Sequence, residues 1–507
     1  MAIQLTKSDY LLYLKHPAWL WLKKNRPKFL PPITANQQAI FDDGNLFETI
    51  VEQKFTGLTR LGFENYDEYK SLTARTKKLL DAGDKLISQA RFEANQLTCI
   101  CDIVEQVGER ELELYEIKGS TRVKPEHIDD LAFQTTVLMG AGYKVSKISV
   151  IFCNNRYVRN GEVDPNKICV TQDVTALVAA RISQTRREIK KALQVAAQAE
   201  MPNPSPARAR LGSFKEWRDI YLKLRPQAEP YNIYTLCRSN EHVIAELEHR
   251  GISRLVDIPE DVELKPAQRW QVDATKSDEP IVDGEKIDKF LGGLAYPLYF
   301  LDYETLGSVV PPFDGLRPYQ QMPFQYSLHV IDNPGGELRH REYLHSSGDN
   351  PSRPLLEQLK EDIGEQGTVL TWNEGFEKSC NTLLGQQCPE FASFTNQLND
   401  RIKDLMLPFF KGWYIDAGFY GSASIKNVLP VLVPELNHKD MEISEGMTAQ
   451  RLWMQTILGG AEDGKEELLK NLRAYCELDT LAMVKIYEFL QQRQRPAPLE
   501  ATQPTLF

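Results

Sequence analysis

The sequence predicts an α/β protein of several domains, and three observations carry that expectation. Alternating apolar and polar residues mark strands at 97–107 and 111–120. An apolar run at 297–304 marks a buried strand, and stretches with helical spacing follow both regions. The 507 residues correspond to about three domains at roughly 100–200 residues each.

Along the chain, SDYLLYLKHPAWLWLKK (8–24) has helical spacing, with Ser8 as its expected cap. The strands LTCICDIVEQV and ELELYEIKGS flank Gly108-Glu109 and predict a β-hairpin. A helix over 125–143 and a strand over 147–155 follow. MPNPSPARAR (201–210) is rich in Pro and small residues and reads as a linker. Short helices around Gly251 predict a small helical middle module. A polar stretch at 272–286 marks a second boundary. The strands PLYFLDYE and FQYSLHVI then alternate with helices up to about residue 492, and the remainder loses periodicity, as a disordered tail does. The expected domains are 1–204, 205–290 and 291–492, with the tail at 493–507.

Composition excludes some classes. No window approaches the ~18 uninterrupted apolar residues of a membrane span. The start, MAIQLTKSDY, lacks an apolar core with a cleavage site, and the eight cysteines form no C-x-x-C pair. Together these predict a cytoplasmic protein with reduced thiols, no membrane partner and no sulfur-held metal. Net charge is −10, but residues 1–210 hold 30 Lys+Arg against 25 Asp+Glu, so the acidic excess falls in the rest. Whole-chain charge therefore does not exclude a phosphate-bearing substrate.

Two constellations carry chemistry. In the first, Glu116 and Lys118 stand at i and i+2 of a strand and share a face, and the partner strand brings Asp102 opposite them. Two carboxylates and a lysine suit a hard cation and an attacking water. E-x-K alone also describes an exposed strand face with an ion pair. An acid ending a strand fourteen positions before Glu116, and Gln134 on the following helix, resemble the PD-(D/E)XK nucleases of the RecB type. That resemblance implies Asp102 and Glu116 as metal ligands, Lys118 as catalytic lysine and Gln134 as the motif glutamine. Leu138 stands where an aromatic is usual, with Tyr143 nearby. It also implies a further ligand on an early helix, here Glu48 after Gly44. Relatives that carry an iron–sulfur cluster use four cysteines; here His16 and Cys237 are all that match, so no iron–sulfur cluster is expected.

In the second, LDYET places Asp302 and Glu304 on one face at a buried strand end, where adjacent carboxylates are costly without a cation. Asn373 and Glu377 stand at i, i+4 as a helix begins, and Tyr475 and Asp479 at i, i+4 within a late helix. This order resembles the DEDDy exonucleases of the DnaQ/RNase H-like class. The resemblance implies that Asp302, Glu304, Glu377 and Asp479 hold two divalent ions, Mg²⁺ or Mn²⁺, and that Tyr475 orients the water. Glu377 stands where aspartate is usual, and Asp404 is the alternative acid. Stretches around both motifs also resemble a bacterial domain-of-unknown-function family that joins this domain to a RecB-like one. Lys426, behind the capping candidate Ser424, is a phosphate-contact candidate. Arg317 and Tyr319, with Phe324, are candidates for guiding a single strand.

The last five residues, QPTLF, resemble the peptide by which bacterial replication and repair enzymes dock on the β sliding clamp. This implies the clamp as partner through Gln503, Leu506 and Phe507. The combined expectation is a metal-dependent nuclease acting on DNA, with RNA as the other substrate class, on single strands or ends and 3′→5′ at the second site. Repair, replication and phage defence are the pathways it would serve. The alternative is a non-catalytic nucleic-acid-binding scaffold with decayed sites.

Overall fold

The computed structural model describes residues 3–277, 279–436, 443 and 445–494. It is a mixed α/β protein of helices and several mixed sheets. The chain divides into two compact units. The first comprises residues 1–228, 240–250 and 308–319, and the second 229–239, 251–307 and 320–507. Residues 205–290 are thus shared between the two units.

The first unit holds a seven-stranded sheet of β1 (Leu5–Thr6), β2 (Thr59–Arg60), β3 (Leu86–Ala94), β4 (Leu97–Gly108), β5 (Glu111–Lys118), β6 (Lys144–Cys153) and β7 (Cys169–Asp173). The order is β2-β3-β4-β5-β6-β7, with β1 beside β4. The β4–β5 hairpin forms around Gly108, and β5 and β6 run parallel. Leu112 and Leu114 of β5 bury one face with Leu131, Phe133 and Leu138 of the helix Pro125–Gly140. Ile117 of the same strand turns the other way, towards Phe47 and Val51 of the helix Ala35–Glu52. That alternation is the period-2 pattern of the sequence realised as two buried faces.

Three local expectations are corrected. The helix expected over 8–24 is two helices, Lys7–Lys15 and Pro17–Asn25, because the residue before a proline is driven to extended backbone and His16 adopts it. The first cap is Thr6 rather than Ser8: Thr6 and Asp9 form a reciprocal capping box. Nor is 201–210 a loose linker. His16 Nε2 meets the Ser205 carbonyl at 3.1 Å, Trp217 Nε1 donates to the Pro204 carbonyl at 2.8 Å, and His16 stacks on Trp217.

The second unit holds a two-stranded ribbon of β8 (Ile281–Val282) and β14 (Tyr414–Ile415). Its main sheet contains β9 (Leu298–Leu306), β10 (Met322–Ile331), β11 (Leu338–Leu344), β12 (Thr368–Thr371) and β13 (Ile402–Asp404), in the order β11-β10-β9-β12-β13. β9, β12 and β13 are parallel, while β10 and β11 are antiparallel to their neighbours. Leu298 and Phe300 face Ala482, Met483 and Ile486 of the helix Lys465–Gln494. Tyr299, Leu301 and Tyr303 face the opposite way, towards Leu355 and Leu384 on two other helices. Among the described residues no helix is long and apolar enough to cross a membrane.

Candidate metal centres

In the first unit, Glu116 and Lys118 share their strand face with Leu112 and Leu114, so the helix Pro125–Gly140 lies over them. Asp130 and Gln134 stand one turn apart on that helix. Gln134 Nε2 donates to Glu116 Oε2 at 2.7 Å and to Asp130 Oδ1 at 2.9 Å. Lys118 Nζ lies 2.6 Å from Glu116 Oε1 and 2.9 Å from Asp130 Oδ2. Asp102 sits one step beyond the Ile103–Tyr115 pair of the hairpin, where the continued register faces Glu116. Its Oδ2 accepts the Ile117 amide at 2.8 Å. The structure therefore brings Asp102, Glu116, Lys118 and Gln134 together.

Two participants were not foreseen. Lys7, at the start of the first helix, puts Nζ 3.0 Å from Glu116 Oε1 and 3.9 Å from Asp102 Oδ1. Asp130 is the second. The first helix starts where β1 pairs with β4, which is how a residue so early in the chain arrives here. A carboxylate four positions before Gln134 was the available signal for Asp130; nothing local signals Lys7. Glu48 comes from the helix Ala35–Glu52, hydrogen-bonds Gln89 Nε2, and lies within electrostatic reach of Asp102. Burial, then the Glu116 charge, push the Asp102 carboxyl up to about 8 against the pull of Lys7 and Lys118. Burial disfavours the Lys118 ammonium, but Glu116 and Asp130 outweigh it and raise its pKa. Neither aromatic position joins: Leu138 is in the core, and Tyr143 packs edge-on against Phe92.

Tyr319 belongs to this unit as well. Its hydroxyl donates to the carbonyl of Gly119, immediately after Lys118. Arg317 is exposed on the same segment, whereas Phe324 belongs to the second unit, buried and stacked on Trp453. The segment expected to serve the second constellation is thus divided between the units.

In the second unit, Asp302 and Glu304 share the β9 face of Phe300, beneath the helix that carries Tyr475 and Asp479. The carboxyl ends of parallel β9, β12 and β13 deliver Asp302, the Asn373–Glu377 turn and Asp404 to one end of the sheet. Asn373 adopts φ +93°, a left-handed conformation that costs a non-glycine residue energy, as the chain turns into the helix bearing Glu377. Asp404 Oδ1 accepts the amides of Asn373 and Met406 at 3.1 and 2.9 Å, so it braces this turn.

The carboxyls repel one another. Burial, then Asp479, raise the Asp302 pKa well above the usual carboxylate range; burial, then Asp302 and Asp479, do the same for Glu304. Burial, then Asp302, push Glu377 up to about 9. Among the described residues, Glu377 Oε2 is buried with no hydrogen-bond partner. Burial, then the carboxylates of Asp479, Glu304 and Asp302, also raise the Tyr475 pKa. Lys426 faces this group: its charge draws down Asp302 and Glu304, and its Nζ lies 5.9 Å from the Tyr475 ring. Ser424 occupies the cap position of the Lys426 helix without a side-chain capping bond. Cys476 was not foreseen. Its Sγ lies 3.8 Å from Asp302 Oδ2, and ligand atoms of Asp302, Glu304 and Cys476 fall within 4.8 Å of one another.

The two centres differ in charge balance. In the first, both oxygens of Glu116 already have cationic or amide partners. In the second, several buried carboxylates share Lys426 and leave an orphaned oxygen, a donor set that suits a hard divalent cation. Gln503, Leu506 and Phe507, the residues expected to dock on a clamp, lie outside the described residues.

A family described as a domain of unknown function, DUF2779, matches residues 299–424, which include Asp302, Glu304, Glu377 and Asp404. The chain is 24% identical over 238 residues to an uncharacterized protein of Ureaplasma parvum, UU173, covering 41% of this chain and 33% of that protein. It is 24% identical over 236 residues to the MG366 homolog of Mycoplasma pneumoniae, also uncharacterized, covering 42% and 34%. The chain thus spans about a third of the length of the curated relatives it matches.

Proposed function

We propose that the protein is a divalent-metal-dependent nuclease whose principal centre is the acidic cluster of the second unit. The observation that carries this reading is the mutually repelling set of half-buried Asp302 with buried Glu304, Glu377 and Asp479, and the orphaned Glu377 Oε2. The four acids would hold Mg²⁺ or Mn²⁺ through oxygen. Bound cations would supply charge neutralisation for a phosphodiester and a lowered pKa for a nearby water. Tyr475, kept protonated beside the carboxylates, would donate a hydrogen bond that orients the water. Lys426 is the chain's own cation for the phosphate backbone of the substrate. The acids, the Asn373 turn and the Tyr475–Asp479 spacing support an RNase H-like DEDDy centre acting 3′→5′ on single-stranded DNA or ends. RNA is the other substrate class.

The first unit is proposed as a PD-(D/E)XK-like centre, with Lys118 positioned by Glu116 and Asp130. One observation favours a second reading there. The Lys7 ammonium already compensates Glu116 and Asp102, as expected of a centre retained for binding nucleic acid rather than cutting it. The test is degradation of end-labelled single-stranded DNA with Mn²⁺ by a variant carrying both Asp302→Ala and Glu116→Ala. Undiminished degradation would show that neither centre is catalytic.

A further inference from the structure

A second donor cluster lies on the same sheet, outside the acidic centre. His329 of β10 and His340 of β11 are cross-strand partners whose rings stack with centroids 4.5 Å apart. Glu477 joins them from the helix Lys465–Gln494, and one ligand atom from each lies within 4.8 Å of the others. His329 is on β10, beside β9 and two residues along from the Ser327–Asp302 pair, so at the usual strand spacing and rise the two backbones are about 8 Å apart there.

Hydroxyls hold one nitrogen of each ring. Ser327 Oγ lies 2.9 Å from His340 Nε2, and Thr480 Oγ1 lies 2.8 Å from His329 Nδ1. The two hydroxyls lie 2.7 Å apart and link the histidines. The other nitrogens, His329 Nε2 and His340 Nδ1, make none of these contacts. His340 Nδ1 faces Glu477 Oε1 at 3.8 Å, longer than a hydrogen bond. A cation between them would engage both.

We propose that His329, His340 and Glu477 form a site for a borderline divalent transition ion, zinc first. Two neutral imidazoles and one carboxylate suit zinc far better than magnesium, which keeps oxygen ligands and water. Ser327 and Thr480 play the part of outer partners that orient ligating histidines. His329 is buried, while His340 and Glu477 open to solvent, which leaves room for a water as fourth ligand and a route of entry. The ion would pin the helix carrying Asp479 to β10 and β11, so the site is a staple beside the acidic centre and independent of the nuclease reading.

The test uses the full-length chain freed of metal by chelation, with excess Mg²⁺ present, titrated with Zn²⁺ alone and measured by equilibrium dialysis with elemental analysis. One zinc equivalent is expected, and it should persist in Asp302→Asn. His340→Gln and Glu477→Gln, both at solvent-accessible positions, should each bind at least tenfold more weakly. Ser327→Ala should bind about 10- to 100-fold more weakly. Cobalt substituted for zinc should give a visible absorption band that His340→Gln abolishes. Absence of a zinc equivalent overturns the proposal. So does zinc binding unchanged in both His340→Gln and Glu477→Gln, which would leave an imidazolium–carboxylate pair or stray binding at the acids.

Discussion

Lys7 Nζ lies 3.0 Å from Glu116 Oε1, although 109 positions separate them in the sequence. This contact makes the first centre a balanced cluster of two ammonium groups among buried carboxylates, and it sets what removing Lys7 should do.

Lys7→Met should destabilise the protein by about 1–3 kcal/mol, since Glu116 loses a charged partner while buried. The same variant should bind Mn²⁺ more tightly than the parent, because the competing cation is gone. Thermal unfolding with and without Mn²⁺ reads both effects. Equal melting temperatures for variant and parent in both conditions would mean that Lys7 is a bystander.

Glu377 gives the opposite sign. Its folded-state pKa is raised to about 9 from the ordinary 4.5, so the native state holds a proton that the unfolded state releases between those values. Its contribution to stability is present below pH 4.5 and is lost as pH rises towards 9. Glu377→Gln should match the parent at pH 4 and exceed it increasingly as pH rises to 8 without metal, by about 1.4 kcal/mol for each pH unit above 4.5, while losing metal-dependent activity. Denaturant melts at the two pH values test the stability half.

His16 sets an acid limit. Its imidazole is buried, takes the Ala18 amide at Nδ1 and meets the Ser205 carbonyl at Nε2; burial pushes its pKa down to about 4 from 6.5. The unfolded chain therefore binds the proton first as pH falls. Stability from this group is complete above 6.5 and declines between 6.5 and 4, by about 3 kcal/mol in total. His16→Asn keeps a capping residue and should flatten that part of the stability–pH curve. An unaltered slope would place the titration elsewhere.

The QPTLF segment yields a separate prediction. Removing residues 503–507 should abolish co-purification with β sliding clamp while leaving nuclease activity on short single strands intact. Retained co-purification would end the expectation of a clamp partner.

How much of this was legible depended on the range of the interactions. Glu116 with Lys118 and Asp302 with Glu304 were readable because strand residues two apart share a face, and Tyr475 with Asp479 because a helical turn brings them together. Asp102 followed from hairpin register. Lys7 was not readable, since it reaches Glu116 through the pairing of β1 with β4 rather than through any local pattern. The single expected N-terminal helix failed at Pro17, where the preceding residue is forced out of helical backbone, and Thr6 outcompeted Ser8 because Asp9 completes its box. That Tyr319 joins the first unit was not readable, because sequence proximity to Asp302 says nothing about which unit a loop joins. The His329–His340 pair became visible only when β10 and β11 were paired.

The central claim is that the acids around Asp302 form the hydrolytic centre. The most direct measurement is single-turnover degradation of 5′-labelled single-stranded DNA with Mn²⁺ by the parent, Asp302→Asn and Glu116→Gln, assayed separately. The account predicts a metal-dependent ladder shortening from the 3′ end, lost at least 100-fold in Asp302→Asn and largely retained in Glu116→Gln, an effect of the size expected when transition-state charge stabilisation is removed. Full activity in Asp302→Asn with loss in Glu116→Gln would contradict it.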